Sequence, residues 1–179
     1  MARTAVVVVA LLAVAAFSVG VKRRLLEVAG STTMLEVGEQ SPGFVLSDRN
    51  GVQFDLHEVA KRNKVVLINF WATWCAPCRV ELPQFEKLYK GKSGRGFEIL
   101  AISEDDAPAK LTEYLEARPL SFPVLIDADG AVAKAYGVQA FPTSVLIGAD
   151  GRVLHIVNGL TPNFEQFIEV ALARASTDE

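Results

Sequence analysis

The sequence contains few of the side chains from which most metal centres in proteins are built. It has two cysteines and two histidines in 179 residues. A structural zinc site takes four ligands, usually two Cys-x-x-Cys pairs or one such pair with two histidines. Here Cys75 and Cys78 form one pair, and His57 and His155 lie far from it in the chain. Because this ligand set is incomplete, we expect no metal centre.

The chain also lacks an excess of basic residues. Lysine and arginine number 18 against 21 aspartates and glutamates, which gives a formal net charge of −3. Binding to nucleic acid depends on positive charge that neutralises phosphates. We therefore expect no nucleic-acid partner. Half of the residues are hydrophobic and 22% are charged, which is an ordinary balance for a globular domain.

One long hydrophobic run lies near the amino terminus. Residues 5–21 read AVVVVALLAVAAFSVGV, in which Ser18 is the only polar side chain. The run is slightly shorter than the usual membrane helix of about 20 residues, but it is within the range that membranes tolerate. We interpret residues 1–21 as an uncleaved membrane anchor. The alternative is a cleaved signal sequence and a secreted domain, although the A-x-A match at residues 13–15 lies inside the run rather than after it.

The residues after the run are predicted to form a tether, and their charges bear on the membrane orientation. Residues 22–36 show no sustained hydrophobic period, and we interpret them as a tether to one globular domain over residues 37–179. The basic triplet KRR at residues 22–24 follows the run, whereas Arg3 and the amino terminus precede it. By the positive-inside rule, this distribution mildly favours a cytoplasmic domain.

Strand and helix patterns alternate through the domain, and the chain then returns as a late hairpin. We predict strands over residues 44–46, 52–54, 65–71, 97–102, 122–126, 143–147 and 153–157. We predict helices over residues 56–60, 76–90, 107–118, 131–136 and 161–175. The first two strands form a hairpin with Asn50 and Gly51 in its turn. This order predicts a three-layer α/β/α sandwich with a mixed central sheet.

Three of the predicted helices have a recognisable start. Asp55 is expected to cap the first. Ser103 or the acidic residues 104–106 are expected to cap the helix that ends near residue 118. Pro162 is expected in the first turn of the last helix, where a missing N–H group does no harm.

The two cysteines lie where a buried strand is followed by a helix. A disulfide between them would close too short a loop to stabilise the fold much. At a helix start, free N–H groups and the helix dipole favour an anion, which lowers the thiol pKa below about 8.5. Cys75 is therefore the expected nucleophile, and Cys78, one turn on, would resolve a mixed disulfide. Pro77 fits the first turn. We expect redox chemistry with no cofactor beyond the Cys75–Cys78 disulfide.

The residues around this pair resemble the active site of the thioredoxin superfamily. The nearest stretch is FWATWCAPC. The wider stretches SPGFVLSDRNG, VVLINFWATWCAPCRVELP and YGVQAFPTSVLIGADGRV resemble the TlpA/ResA-like branch. That branch comprises membrane-tethered thiol–disulfide oxidoreductases and includes the reductants of cytochrome c maturation. The resemblance covers residues 37–175. It implies a thioredoxin-like fold with an N-terminal β-hairpin and a central helix-strand insert at about residues 104–128.

The resemblance also implies roles beside the disulfide. Pro142 matches the family's cis-proline, which would place backbone groups of Phe141 beside the dithiol for docking of an extended substrate strand. The alternative is a trans proline that starts a strand. Trp74 and Trp71 are expected to shield the site and to pack around it.

Two further residues bear on proton transfer. Glu81 matches an acidic residue of this branch, and a carboxylate near two thiols would oppose their ionisation and could relay protons. Asn69 stands where thioredoxin proper has an aspartate, and an amide cannot take up a proton. Proton handling would then fall to Glu81 or to water. The alternatives are an exposed glutamate on a helix surface and an asparagine that satisfies a backbone group in the core.

The resemblance implies a reductant of disulfides in extracytoplasmic client proteins such as apocytochrome c, kept reduced by a membrane electron donor. This location opposes the count of basic residues, and we give the resemblance more weight. One alternative is a peroxiredoxin-like peroxidase, but its P-x-x-x-T-x-x-C motif would need proline and threonine where Ile68 and Ala72 stand. Another is a thiol-based metallochaperone or copper-centre assembly protein, since thiolates suit Cu(I). The copper chaperones of related fold have a wider cysteine spacing and a matching histidine, both absent here.

Overall fold

The structure is a computed structural model that describes residues 34–105 and 107–176. The predicted anchor and residues 22–33 of the predicted tether lie outside the described residues. Among the described residues, no helix combines the length and the hydrophobicity needed to span a bilayer. The anchor, its orientation and the location of the domain therefore stay predictions.

A mixed β-sheet forms the middle layer of the domain. Its strands within the described residues are β1 Val45–Asp48, β2 Gln53–Asp55, β3 Val65–Trp71, β4 Phe97–Ser103, β5 Val124–Ile126, β6 Thr143–Gly148 and β7 Val153–Asn158. Their order across the sheet is β2-β1-β5-β4-β3-β6-β7. Strands β3, β4 and β5 run parallel, and all other neighbours are antiparallel. The predicted mixed sheet is confirmed.

Helices cover both faces of this sheet because its central strand is apolar on both sides. Every residue of β3 is buried, and successive side chains alternate between two core clusters. In the described chain the helices are α1 Leu56–Lys61, α2 Ala76–Lys92, α3 Pro108–Ala117, α4 Ala131–Ala135 and α5 Phe164–Ala175. Helices α2, α3 and α5 contribute to one cluster, and α1 and α4 contribute to the other. The three-layer α/β/α sandwich is confirmed.

The two predicted additions to the thioredoxin-like core lie side by side in the sheet. Strands β1 and β2 form the amino-terminal hairpin, with Leu46 opposite Phe54. In its turn Gly51 has a φ of 81°, which favours glycine. Helix α3 and strand β5 form the central helix and strand, and β5 pairs antiparallel with β1. Together these elements extend the sheet beyond β4.

Of the three predicted helix starts, one is confirmed and two are wrong. The Asp55 carboxylate accepts hydrogen bonds from the backbone of the first turn of α1, as expected. Helix α3 begins at Pro108, and its N-cap residue is Ala107, whose methyl group cannot accept a hydrogen bond. Asp105 bonds to Thr73 instead. Helix α5 begins at Phe164. Pro162 lies in a turn before it rather than in its first turn.

Candidate active site

Cys75 and Cys78 form a disulfide at the first turn of α2, and their Cα atoms are 5.3 Å apart. Cys75 is the N-cap residue, with extended backbone, and its Sγ accepts a hydrogen bond from the Cys78 N–H at 3.3 Å. Pro77 lies in the same turn, where it removes no hydrogen bond. The predicted position of Cys75 at a helix start is confirmed. After reduction, this N–H and the helix dipole would favour a Cys75 thiolate.

The two cysteines differ slightly in their exposure to solvent. Cys75 is 5% exposed, whereas Cys78 is 0% exposed. Cys75 is therefore the more accessible residue of the pair to a thiol of another protein. This asymmetry supports attack through Cys75 and resolution by Cys78, the roles that the sequence predicts.

Asp105 holds the loop that leads into Cys75, a role that the sequence does not indicate. Its carboxylate accepts hydrogen bonds from the Thr73 backbone N–H at 2.9 Å and from the Thr73 hydroxyl at 2.6 Å. It also accepts one from the Ser103 hydroxyl at 2.9 Å. Asp105 is buried, so these charge-assisted bonds are strong. They fasten the loop before Cys75 to the end of β4.

Pro142 lies in a loop that is tied down on both sides. The Phe141–Pro142 peptide bond is cis, which confirms the prediction. The Pro142 carbonyl accepts a hydrogen bond from the Gly159 N–H at 2.7 Å. The Thr143 hydroxyl donates to the Ala140 carbonyl at 2.8 Å. The loop before β6 is thus bonded within itself and to the residue that follows β7.

The two tryptophans of the motif have different surroundings. Trp71 is fully buried, and its ring centroid lies 5.3 Å from that of Tyr114. Trp74 is 62% exposed and meets the edge of the Phe141 ring at 5.8 Å between centroids. Both therefore pack at the site as expected, Trp71 in the core and Trp74 against Phe141. Trp74 brings the cysteine loop and the proline loop into contact and leaves most of its side chain in solvent.

A buried polar group lies on the same side of α2 as Cys78. Glu81 is one turn further along this helix and is 2% exposed. The Asn69 side chain on β3 donates from Nδ2 to Glu81 Oε2 at 3.1 Å and to the Ser144 hydroxyl on β6 at 3.0 Å. Within the described chain, Glu81 Oε1 and Asn69 Oδ1 have no hydrogen-bond partner. Glu81 is therefore not a surface residue, and Asn69 does not serve a backbone group.

Burial raises the pKa of Glu81 to about 7, and the hydrogen bond from Asn69 opposes this rise. A carboxyl group with this pKa can hold a proton or release it near neutral pH. Such a group is suited to general acid and base catalysis.

A second carboxyl group with an altered pKa follows β4 at the same edge of the sheet. Burial, together with the negative charges of Asp127 and Asp129, raises the pKa of Glu104 to about 8. Asp127 is itself buried and accepts a hydrogen bond from the Ala133 N–H at 2.9 Å. These contacts join the ends of β4 and β5 to α4 and do not involve the cysteines.

Comparison with protein families matches residues 37–156 to the AhpC/TSA family. This range includes Cys75, Cys78 and Pro142. Among curated proteins, the thiol-disulfide oxidoreductase ResA of Bacillus cereus (strain ATCC 10987 / NRS 248) is 38% identical over 125 residues, which cover 70% of this chain and 71% of the relative. ResA of Bacillus subtilis (strain 168) is 36% identical over 131 residues, which cover 73% of this chain and 72% of the relative.

Solved structures give the same result for the fold. A putative thiol:disulfide interchange protein DsbE from Chlorobium tepidum superposes with a TM-score of 0.72 and 33% identity, over 77% of this chain and 99% of that one. A putative thioredoxin from Neisseria meningitidis superposes with a TM-score of 0.68 and 33% identity, over 79% of this chain and 95% of that one.

Proposed function

Because this chain belongs to the AhpC/TSA family and is a ResA-like thiol–disulfide oxidoreductase of the thioredoxin superfamily, we propose that it reduces disulfides in extracytoplasmic client proteins while anchored to a membrane. The observation that carries the proposed reaction is the asymmetry of the disulfide. Cys75 caps a helix and is the more exposed residue of the pair, whereas Cys78 is fully buried.

The proposed reaction moves two electrons from the protein to its client. The Cys75 thiolate attacks one sulfur of a client disulfide, which breaks the client S–S bond and forms a mixed disulfide. The released client sulfur takes up a proton. Cys78 then loses its proton and attacks Cys75 Sγ, which releases the second client thiol. The protein ends with the Cys75–Cys78 disulfide seen in the structure.

The loop geometry supports docking of a client segment beside Cys75. The cis-proline loop and the cysteine loop meet through the rings of Phe141 and Trp74. Pro142 is buried, whereas Trp74 presents most of its ring to solvent. An extended client segment with an apolar side chain next to its cysteine would cover this ring and reach the backbone of Phe141.

Glu81 is the group best suited to manage the proton of Cys78. It lies one turn from Cys78 on the same side of α2, and its pKa of about 7 allows it to take up the proton that the resolving thiol must lose. Asn69 cannot do so, because an amide does not titrate in this range.

The membrane and electron-supply parts of the proposal rest on the sequence. The hydrophobic run at residues 5–21 would anchor the domain. Extracytoplasmic compartments are oxidising, so a reductant there needs a donor that passes electrons through the membrane. Apocytochrome c is the client class that the family resemblance suggests. A peroxidase role has no such support, since Ile68 and Ala72 replace the motif residues it needs.

Trapping of the mixed disulfide tests the proposed direction and partner class. Cys78→Ser should leave Cys75 able to attack but unable to release its product, so disulfide-linked client proteins should accumulate in cells. Cys75→Ser is the matched control and should trap none. Thiol trapping of the wild type in cells should find the pair reduced. An oxidised pair, together with an absence of adducts in Cys78→Ser, would overturn the reductant assignment.

A reporter fused to the carboxyl terminus tests the location. Alkaline phosphatase at this position should be active, because it requires an oxidising compartment. A fluorescent reporter that matures only in the cytoplasm should stay dark. The reverse pattern would show that the basic residues after the hydrophobic run set the orientation.

A further inference from the structure

Ser144 lies opposite Asn69 in the antiparallel pairing of β6 with β3. Both residues are buried, Ser144 at 2% and Asn69 at 0% exposure. The Ser144 hydroxyl oxygen is 3.0 Å from Asn69 Nδ2. Neither the sequence pattern nor the cysteine chemistry requires a hydroxyl group at this place.

Among the described residues, the Asn69 side-chain amide uses both of its N–H donors but not its oxygen acceptor. An amide has two N–H hydrogens to donate and one oxygen that accepts. Nδ2 donates one hydrogen to Glu81 and the other to Ser144, whereas Oδ1 is without a partner in the described chain. Turning the amide by half a turn would take both hydrogens away from these acceptors. It would also set Oδ1 against the carboxylate of Glu81, where two acceptors repel.

We propose that Ser144 is a positioning residue of the redox site, whose hydroxyl accepts the second amide hydrogen and thereby holds the Asn69 N–H on Glu81. The proposal deepens, and rests on, the proton-handling role proposed for Glu81. A donated N–H stabilises the ionised carboxylate and so opposes the effect of burial. Without the hydroxyl, one buried amide hydrogen is unsatisfied and the donor is less well held. Glu81 should then keep its proton to higher pH.

The surroundings of Glu81 make this effect measurable. Asn69 faces it from β3, Ser144 acts through Asn69 from β6, and Cys78 precedes it by one turn on α2. In the oxidised protein both cysteines are in the disulfide and do not titrate. A titration of the oxidised protein therefore reports the carboxyl group without interference from the thiols.

The test is the pH midpoint of the Glu81 side-chain carboxyl ¹³C signal in the oxidised full-length protein held in detergent micelles. The signal is assigned by its loss in Glu81→Gln. Ser144→Ala should raise the midpoint by about one pH unit, which is about tenfold in proton affinity. Ser144→Thr keeps the hydroxyl and should stay within about 0.3 units of the wild type. Val145→Ala removes a buried side chain from the opposite face of β6 and controls for loss of packing.

Two results would overturn the proposal. One is a Ser144→Ala midpoint within about 0.2 units of the wild type, and the other is an equal shift in Val145→Ala. If Ser144→Ala does not fold, the wild type still decides the question. Its Asn69 side-chain amide protons should be protected from exchange and should shift with the Glu81 midpoint, and rapid exchange of these protons would refute the hydrogen bonds.

These outcomes separate the proposal from the function on which it rests. A shifted midpoint in Ser144→Ala, with client reduction unchanged in Glu81→Gln, would leave Ser144 as a positioning residue and remove Glu81 from proton transfer. Slow reduction in Glu81→Gln, with an unshifted midpoint in Ser144→Ala, would keep Glu81 in proton transfer and would show that Ser144 is not a positioning residue.

Discussion

The amide nitrogen of Asn69 lies 3.1 Å from the carboxylate of Glu81, although the two residues come from a central strand and from the helix that carries the cysteines. This contact gives a buried carboxyl group one donor. Its other oxygen has no partner among the described residues. The proton affinity of Glu81 is therefore set by burial against a single hydrogen bond, and two of the expectations below follow from this balance.

Glu81→Gln should slow client reduction. The substitution keeps the size of the side chain but removes the group that can accept the Cys78 proton. We expect a loss of about 100-fold in the rate of disulfide reduction at pH 7. The part of the pH dependence that comes from Glu81 should also disappear, whereas the part that comes from ionisation of Cys75 should remain. Insulin reduction followed from pH 5 to pH 9 measures both effects. Glu58→Gln, which changes an exposed glutamate of α1, is the control and should match the wild type. A Glu81→Gln rate equal to the wild-type rate at pH 7 would assign proton transfer to another group.

Glu81 should also make the folded protein less stable as pH rises. The pKa of Glu81 is about 7 in the folded protein, against 4.5 for an unperturbed glutamate. The folded protein therefore binds this proton more tightly than the unfolded chain does. Stability from this group is present below about pH 4.5 and is lost as pH rises to about 7, by about 3 kcal/mol in all. Urea unfolding of the oxidised protein at pH 5 and pH 8 measures the loss. Glu81→Gln should remove this loss of stability. Glu104 contributes a similar loss in both proteins, so its contribution cancels when the two are compared. Parallel curves for both proteins would contradict the raised pKa.

Asp105→Ala should loosen the loop before Cys75. The substitution removes the acceptor of the Thr73 N–H and of two hydroxyl groups in a buried place. We expect a loss of about 1–3 kcal/mol in the free energy of unfolding. The rate at which iodoacetamide alkylates reduced Cys75 should also differ from the wild-type rate. Asp105→Asn retains one oxygen and should lie between Asp105→Ala and the wild type. Glu116→Gln, at an exposed carboxylate of α3, should alter neither quantity. Wild-type alkylation in Asp105→Ala would mean that the loop holds its shape without this carboxylate.

Trp74→Ala and Trp71→Ala should affect different properties. Trp74 is mostly exposed, so its removal should change the free energy of unfolding by about 0.5 kcal/mol or less. It should raise the KM for a disulfide peptide, because the ring proposed as the docking surface is lost. Trp71 is fully buried, and its removal should lower stability by about 3–5 kcal/mol. Urea unfolding and steady-state reduction of a labelled peptide distinguish the two. An unchanged KM in Trp74→Ala would show that clients dock elsewhere.

Some features of the site could be predicted because their signals are local. Strand β3 is a continuous apolar run with branched residues, and its predicted and observed limits agree at residues 65–71. The position of Cys75 followed from a strand that leads directly into a helix. The cis bond before Pro142 followed from the family pattern rather than from any energetic argument.

Other features depend on which strands become neighbours. Ser144 meets Asn69 only because β6 pairs with β3 in one register, and no local pattern specifies that register. Asp105 has the local signal of a helix cap, since an acidic residue shortly before a helix usually serves as one. Its carboxylate instead accepts a hydrogen bond from Thr73. Thr73 comes close to Asp105 only when β3 and β4 lie side by side. For this reason the sequence alone does not predict the contacts of Ser144 and Asp105.

Helix α2 is capped by the same sulfur atom whose bonds the reaction makes and breaks. Each turnover therefore exchanges a neutral disulfide cap for a charged thiolate cap, and the stability of the helix becomes part of the redox equilibrium. A cap that favours the thiolate stabilises the reduced form and makes the couple more oxidising. For a protein that donates electrons, as proposed here, a cap that favours the thiolate less is therefore an advantage. An ionised carboxylate at Glu81, one turn beyond Cys78, would act in the same sense, because a negative charge near the thiols opposes their ionisation.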